Sequence, residues 1–192
     1  MLAVESEIGG ADCVRLELDL PAGWHPINLD TEVSASDVPP MINGGLLESQ
    51  WPLDSQWPLD SQWVDAVRLQ AEVARQQGAF ALLINLENEP VTAVLHQHPI
   101  AGETLLSVSE ALVNSQTAQS VDRVTVAGSS ALRTSSSHDV PGLAGIELSQ
   151  ITYLVLVGTD LLVFAFTSAV FSLLDLQHAA ESVMSHVRFA ID

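Results

Sequence analysis

The chain has 192 residues, 47% of them hydrophobic, which supplies enough apolar surface to offset chain entropy and to build one domain over 1–192. Its net charge of −18 reflects a shortage of bases, since 24 Asp and Glu face only six Arg and no Lys at all. A lysine-free chain excludes P-loop and kinase-type nucleotide binding, Schiff-base chemistry and a Ser-Lys dyad, and so acidic a field works against nucleic acid and anionic membranes as partners.

The first predicted strand is Val14 to Leu20, where Val14, Leu16, Leu18 and Leu20 alternate with polar residues. Pro21-Ala-Gly-Trp-His-Pro26 then breaks regular structure, and a Pro-rich loop follows, with residues 37–62 as its core. Inside that loop stands a perfect duplication, Ser49-Gln-Trp-Pro-Leu-Asp54 and Ser55-Gln-Trp-Pro-Leu-Asp60, continued by Ser61-Gln62-Trp63. It spaces Trp51, Trp57 and Trp63 evenly, while Pro52 and Pro58 bar a continuous helix through it. Asp60 or Ser61 caps the helix that comes next, whose Val64, Val67, Ala71 and Ala74 recur at three and four residues until Gly78 closes it. Arg68, Glu72 and Arg75 occupy its outer face at pairing distances.

Phe80 to Leu86 and Val91 to His98 read as strands around Glu87-Asn-Glu-Pro90, and Thr104 to Ser115 as a short helix. Val121 to Ala127 reads as a strand extending as far as Arg133, before a polar loop from Ser135 to Gly142. The run Ile151 to Leu174 is long enough to span a membrane, but Asp160 sits in it at a cost of about 2.5–3.5 kcal/mol at a bilayer centre. Gly158-Thr159-Asp160 is a turn between two segments rich in β-branched and aromatic residues, so the run is predicted to be a buried hairpin, 151–157 with 161–167. A final helix over Leu173 to Val187 buries Leu173, Leu176, Ala180, Val183, Met184 and Val187. The order β-α-β-β-α-β-β-β-α predicts an α+β class: an antiparallel β-sheet flanked by helices, sandwich-like in its layers.

This order, with its closing hairpin and amphipathic last helix, resembles the Mog1/PsbP-like fold, in the form of uncharacterised actinobacterial-type members. The resemblance lies in element order over residues 14 to 190 and carries no signature motif, so it transfers no site residue. It implies a small accessory or partner-binding protein rather than an enzyme.

The residues themselves offer several candidates for chemistry. His96-x-His98 places two imidazoles on one strand face, the spacing of a pair of Zn or Ni ligands, but a metal site needs further ligands, and the plainer expectation is two polar residues that finish an edge strand. His178, Glu181 and His186 fall on the polar side of the last helix and read as a solvated face. Ser135 to Asp139 crowds Ser, His and Asp together without the distant assembly a triad needs. Cys13, the one cysteine, excludes an internal disulfide, lacks a nucleophile signature and reads as a small buried hydrophobe. Residues 1–11 carry Glu5 and Glu7 and lack the basic and apolar parts of a secretory signal, so a soluble cytoplasmic protein is expected. The leading functional expectation is a non-catalytic accessory or protein-binding module whose Trp51, Trp57 and Trp63 contact a protein partner, one of basic surface given the acidity here. Its alternatives are a metal-binding protein or metal-assisted hydrolase using Zn at His96 and His98, and a carrier of a small ligand in an enclosed apolar cavity.

Overall fold

The structure, a computed structural model, describes residues 2–4, 14–29, 31–34, 36–38, 60–85, 91–100, 104–115, 118–139, 147–169 and 171–191. In chain order its elements are strands β1 (Leu2–Val4), β2 (Val14–Leu18) and β3 (Trp24–Asn28), then helix α1 (Asp60–Gln76). Strands β4 (Ala79–Asn85) and β5 (Val91–Pro99) lead to helix α2 (Leu105–Ser115). The last part comprises β6 (Ser120–Val126), β7 (Ser129–Asp139), β8 (Glu147–Val157), β9 (Asp160–Ser168), α3 (Leu173–Met184) and β10 (Val187–Ile191).

Seven strands form one sheet in the order β3-β4-β5-β9-β8-β7-β6, and every neighbouring pair in it is antiparallel. The four C-terminal strands form a meander that joins the shorter β3-β4-β5 group where β5 meets β9, with Thr92 opposite Thr167 and His98 opposite Leu161. A second sheet of three strands, β1-β2-β10, pairs the two ends of the chain, Val14 lying opposite Ile191.

Strand alternation gives the large sheet two chemically different faces. One carries Leu83, Ala93, Leu95, Tyr153, Val155, Phe164 and Phe166, and packs with α3 and with Leu16, Leu18 and Val187 of the small sheet in the largest buried cluster. Phe166 lies at its centre, edge-on to Trp24 at 6.0 Å and to Tyr153 at 6.2 Å between ring centroids. The other face is covered at two places only among the described residues: α1 sets Val67, Ala71 and Ala74 on Ile27, Leu82 and Ile84, and α2 sets Leu105, Val108 and Leu112 on Leu132 and Leu154. The molecule therefore has three layers, an α+β architecture as predicted.

Local signals explain the element ends. Ser172 accepts from the Asp175 amide at 3.3 Å and starts α3, while Thr104 and Ser107 exchange side-chain-to-amide bonds of 3.1 and 3.3 Å to start α2. Gly78, at φ +79°, ends α1 in the left-handed conformation that glycine adopts without strain. Two-residue links close two hairpins: Gly158 at φ +59° begins the one between Val157 and Asp160, in the manner of a type II′ turn. Ala127 at φ +49° and Gly128 at φ +83° make the other, between Val126 and Ser129, with both residues left-handed as in type I′.

Four strands depart from the sequence-based order. Trp24 to Asn28, expected to be irregular because prolines bracket it, is edge strand β3, where Pro26 is tolerated because only β4 pairs with it. The single strand expected from Val121 as far as Arg133 is two, β6 and β7, because Ala127-Gly128 turns the chain back on itself, and Ser135 to Asp139, expected as loop, completes β7, held chiefly by its ladder to β8, which needs backbone groups rather than apolar side chains. Val187 belongs to β10, not to the last helix, since α3 stops at Met184 with Ser185 as its cap. Leu2 to Val4 adds β1. The run 151–174 is the hairpin β8–β9 followed by the start of α3, and no helix among the described residues is long and apolar enough to cross a membrane.

Candidate functional site

Between α1 and α2 the sheet face is left half-exposed over β5, β9 and β8. Antiparallel register sets its side chains in cross-strand rows: Thr92, Thr167 and Gln150; Val94, Ala165 and Thr152; His96, Val163 and Leu154; His98, Leu161 and Leu156. Thr92, Val94, His96, Gln150, Thr152, Ala165 and Thr167 are each neither buried nor fully exposed, unlike their neighbours on the opposite face. Alternation alone forces this division, because helix α3 buries one face while α1 and α2 pack against strands nearer the two sheet edges.

The strip is polar at one end. Gln70 of α1 donates to the Thr92 hydroxyl at 2.9 Å, the Thr92 and Thr167 hydroxyls share a hydrogen bond at 2.9 Å, and Gln150 donates to Thr152 at 3.1 Å. These residues went unnoticed in the sequence, although Thr92 and Thr167 could have been picked out as polar residues recurring within otherwise apolar strands.

At the other end His96 and His98 stand on the same face of β5, their rings stacked at 5.9 Å between centroids and 11° between planes. The expectation that they finish an edge strand is corrected: β5 is interior, paired with β4 on one side and β9 on the other. His96 is half-buried, and its Nδ1 is shielded from solvent with no hydrogen-bond partner. Burial holds its pKa below the ordinary value of 6.5, and the neighbouring His98 lowers it further. Among the described residues no group of three or more His, Cys, Asp or Glu is arranged around a metal position.

The remaining candidates are placed apart. Trp51 and Trp57 lie outside the described residues, as do Cys13 and residues 39–59 of the loop; Trp63 falls in the first turn of α1. The Ser135–Asp139 segment cannot assemble a triad within itself, because strand alternation directs Ser137 and Asp139 to one face of β7 and His138 to the other. Ser137 instead donates to Glu147 of β8.

On α3, Glu181 accepts from Arg133 at 2.8 Å and from Gln177 at 2.8 Å, and Arg133 also reaches Asp122 at 3.0 Å. Arg133 thus ties α3 to β6 across β7, and Glu181 is a structural anchor rather than an acid-base group. The Tyr153 hydroxyl lies buried beside the Arg133 guanidinium, its pKa raised by burial first and then by the Glu181 charge, against the opposing pull of Arg133. His178 is exposed on α3, and His186 beyond it is exposed with Nδ1 2.8 Å from the Ser182 carbonyl. Elsewhere a surface groove of about 300 Å³ runs along α1 beside Leu29 and Thr31 to Val33, bordered by the Arg68–Glu32 ion pair at 3.5 Å and by Arg75 bonded to Glu72.

No protein-family model and no curated protein matches the chain. Solved structures do match. One is LpqN, described as involved in cell envelope biogenesis of Mycobacterium tuberculosis, with 11% identity over 98% of this chain and 91% of that chain at a TM-score of 0.56. A second is the cyanobacterial PsbP (CyanoP) of Synechocystis sp. PCC 6803, with 10% identity over 96% of each chain at a TM-score of 0.47. At such identity the likeness is one of fold alone: the chain shares its overall fold with LpqN.

Proposed function

We propose that the chain is an accessory module that works by holding a protein partner, not by catalysing a reaction. The observation that carries this reading is the half-exposed strip between α1 and α2, where hydroxyls, small apolar side chains and the two histidines lie on a rigid seven-stranded sheet. A sheet interior to two helices offers a preformed surface, which lowers the entropic cost of association. The groups that suggested acid-base chemistry have other employment, Glu181 in the Arg133 bridge and Ser137 on Glu147.

The partner we propose is a protein of basic surface. A net charge of −18 accelerates encounter with such a surface and makes the association sensitive to salt. The tryptophan repeat, with Trp51 and Trp57, is the proposed anchor, since large aromatic side chains concentrate binding energy where proteins meet. Its segment runs into α1, whose Gln70 borders the strip.

Affinity capture from the source cells at low salt, read as stoichiometry by native mass spectrometry, tests the reading with two variants. Ala165→Arg projects a long charged side chain from the middle of the strip, and Trp51→Ala/Trp57→Ala removes the anchors. A single stoichiometric partner that is lost in both variants, with melting temperatures close to the unmodified protein, is the expected result. Capture unchanged in both rejects the strip and the tryptophans as contact regions.

A further inference from the structure

The geometry of β5 points to a second property, independent of the partner reading: we propose that His96 and His98 together chelate one late first-row divalent ion, Zn2+ in particular.

Three features of the site converge. The i, i+2 spacing on a paired interior strand fixes both Cβ atoms on one face, where the rings stack face to face at 5.9 Å between centroids with 11° between planes, so that turning one ring brings a nitrogen of each toward a common point. A tetrahedral ion with Zn–N bonds of about 2.0–2.1 Å needs its two donor nitrogens roughly 3.3 Å apart. His98 is exposed and can rotate about its side-chain torsions to close that gap, while His96 is held by its surroundings.

The second feature is the Nδ1 atom of His96, removed from solvent and lacking a partner. A buried nitrogen in that condition costs free energy unless something supplies the missing interaction. A cation coordinated at Nδ1 supplies it and leaves Nε2 to carry the proton.

The third feature is the environment. The register neighbours of the pair are Val163, Leu161 and Ala79, so no charged side chain adjoins the two imidazoles along the ladder. The whole-molecule charge of −18 concentrates cations at the surface, and the absence of lysine removes a common competitor for the same space. Imidazole nitrogen selects zinc, nickel or copper over magnesium and calcium, which demand oxygen ligands. Two protein ligands leave other coordination positions to water, which makes the site an open one.

The experiment is isothermal titration calorimetry of the full chain, freed of metal by chelator and dialysed, against ZnCl2 at pH 7.5, with MgCl2 as the hard-ion control. One ion per chain is expected for the unmodified protein and no heat of binding for magnesium. His98→Gln should weaken zinc by at least about tenfold, because loss of a ligand costs no less than the 10–100-fold typical of outer-sphere changes. His96→Gln should do the same, and His178→Gln, on the far side of the sheet, should leave binding intact. As His98 is exposed, its variant decides the matter even if His96→Gln folds poorly. Copper(II) spin resonance, showing two nitrogens in the unmodified protein and one in His98→Gln, gives a readout that a merely structural role does not move. Absence of zinc binding, binding unchanged in His98→Gln, or an equal loss in His178→Gln overturns the proposal.

Discussion

Ala127 occupies the first position of the two-residue link between β6 and β7 at φ +49°, a conformation in which the Cβ of an L-residue crowds the following carbonyl. Such a residue stores about 1–2 kcal/mol relative to its preferred conformations. Ala127→Gly removes the crowding but restores chain freedom to the unfolded state worth about 0.5–1 kcal/mol, so its net gain is about 0.5–1 kcal/mol. Ala127→Asn tolerates the left-handed region and with Gly128 makes the Asn-Gly pair favoured in type I′ hairpins, for a gain of about 1 kcal/mol. In a domain of this length that corresponds to roughly 2–4 °C in melting temperature. Urea titration monitored by circular dichroism measures it, an unchanged slope certifying that stability rather than denatured-state compactness has moved. Gly158→Ala is the mirror experiment: a Cβ built there meets nothing within 4 Å, so the strain comes from the φ of +59° alone and, offset by the chain freedom the unfolded state loses, should leave a net cost of about 0.5–1 kcal/mol. If Ala127→Asn lowers the midpoint while Gly158→Ala leaves it untouched, the dihedral account of both hairpins is wrong.

Three other outcomes follow from packing and charge. Phe166→Ala, which empties a fully buried site and removes two edge-on ring contacts, should cost about 3–5 kcal/mol in denaturant midpoint analysis, and a cost under 1 kcal/mol would show the core closing over the gap. Arg133→Met should cost about 1–2 kcal/mol, the bridge being discounted because Asp122 and Glu181 are about half-exposed; a double-mutant cycle with Glu181→Gln should return a positive coupling, and zero coupling would remove the bridge as the link between α3 and β7. The pKa of His96 is lowered in the folded protein, so the unfolded chain binds more protons below the ordinary value of 6.5, and stability falls as pH drops from there toward the folded value. In thermal melts between pH 7.5 and 5, His96→Gln should flatten that part of the profile; an identical slope in both proteins would assign the dependence to other groups.

The sequence revealed elements wherever a face had to be buried. The helical stripes Val67, Ala71, Ala74 and Leu176, Ala180, Val183 are periodic because each meets a core, and the hairpin around Gly158 is flanked by strands that bury one face fully in the main core. The elements that escaped notice are those whose reason is elsewhere in space. Ser135 is strand because β6 and β8 supply partners on both sides, Ser136 and Ser137 because β8 does, and β10 exists because Val14 to Leu18, far away in sequence, offers it an edge. The candidate site was half legible: His96-x-His98 announced a shared strand face, but its interior position depends on the β5–β9 pairing. The Gln70, Thr92 and Thr167 row could not be assembled from spacing, because its members come from three separate elements.

The pairing of β2 with β10 has a mechanical consequence. Val14 and Ile191 are register partners at one end of that ladder, and Leu18 and Val187 at the other. Tension applied between Val14 and Ile191 therefore opens that ladder one rung at a time, rather than shearing all its hydrogen bonds at once. The small sheet should yield at low force and strip Leu16, Leu18 and Val187 from α3 before the seven-stranded sheet bears any load. A pull between two points within β5 and β9 would meet a far stiffer body. The β2–β10 pair is thus a soft clasp set against a stiff plate.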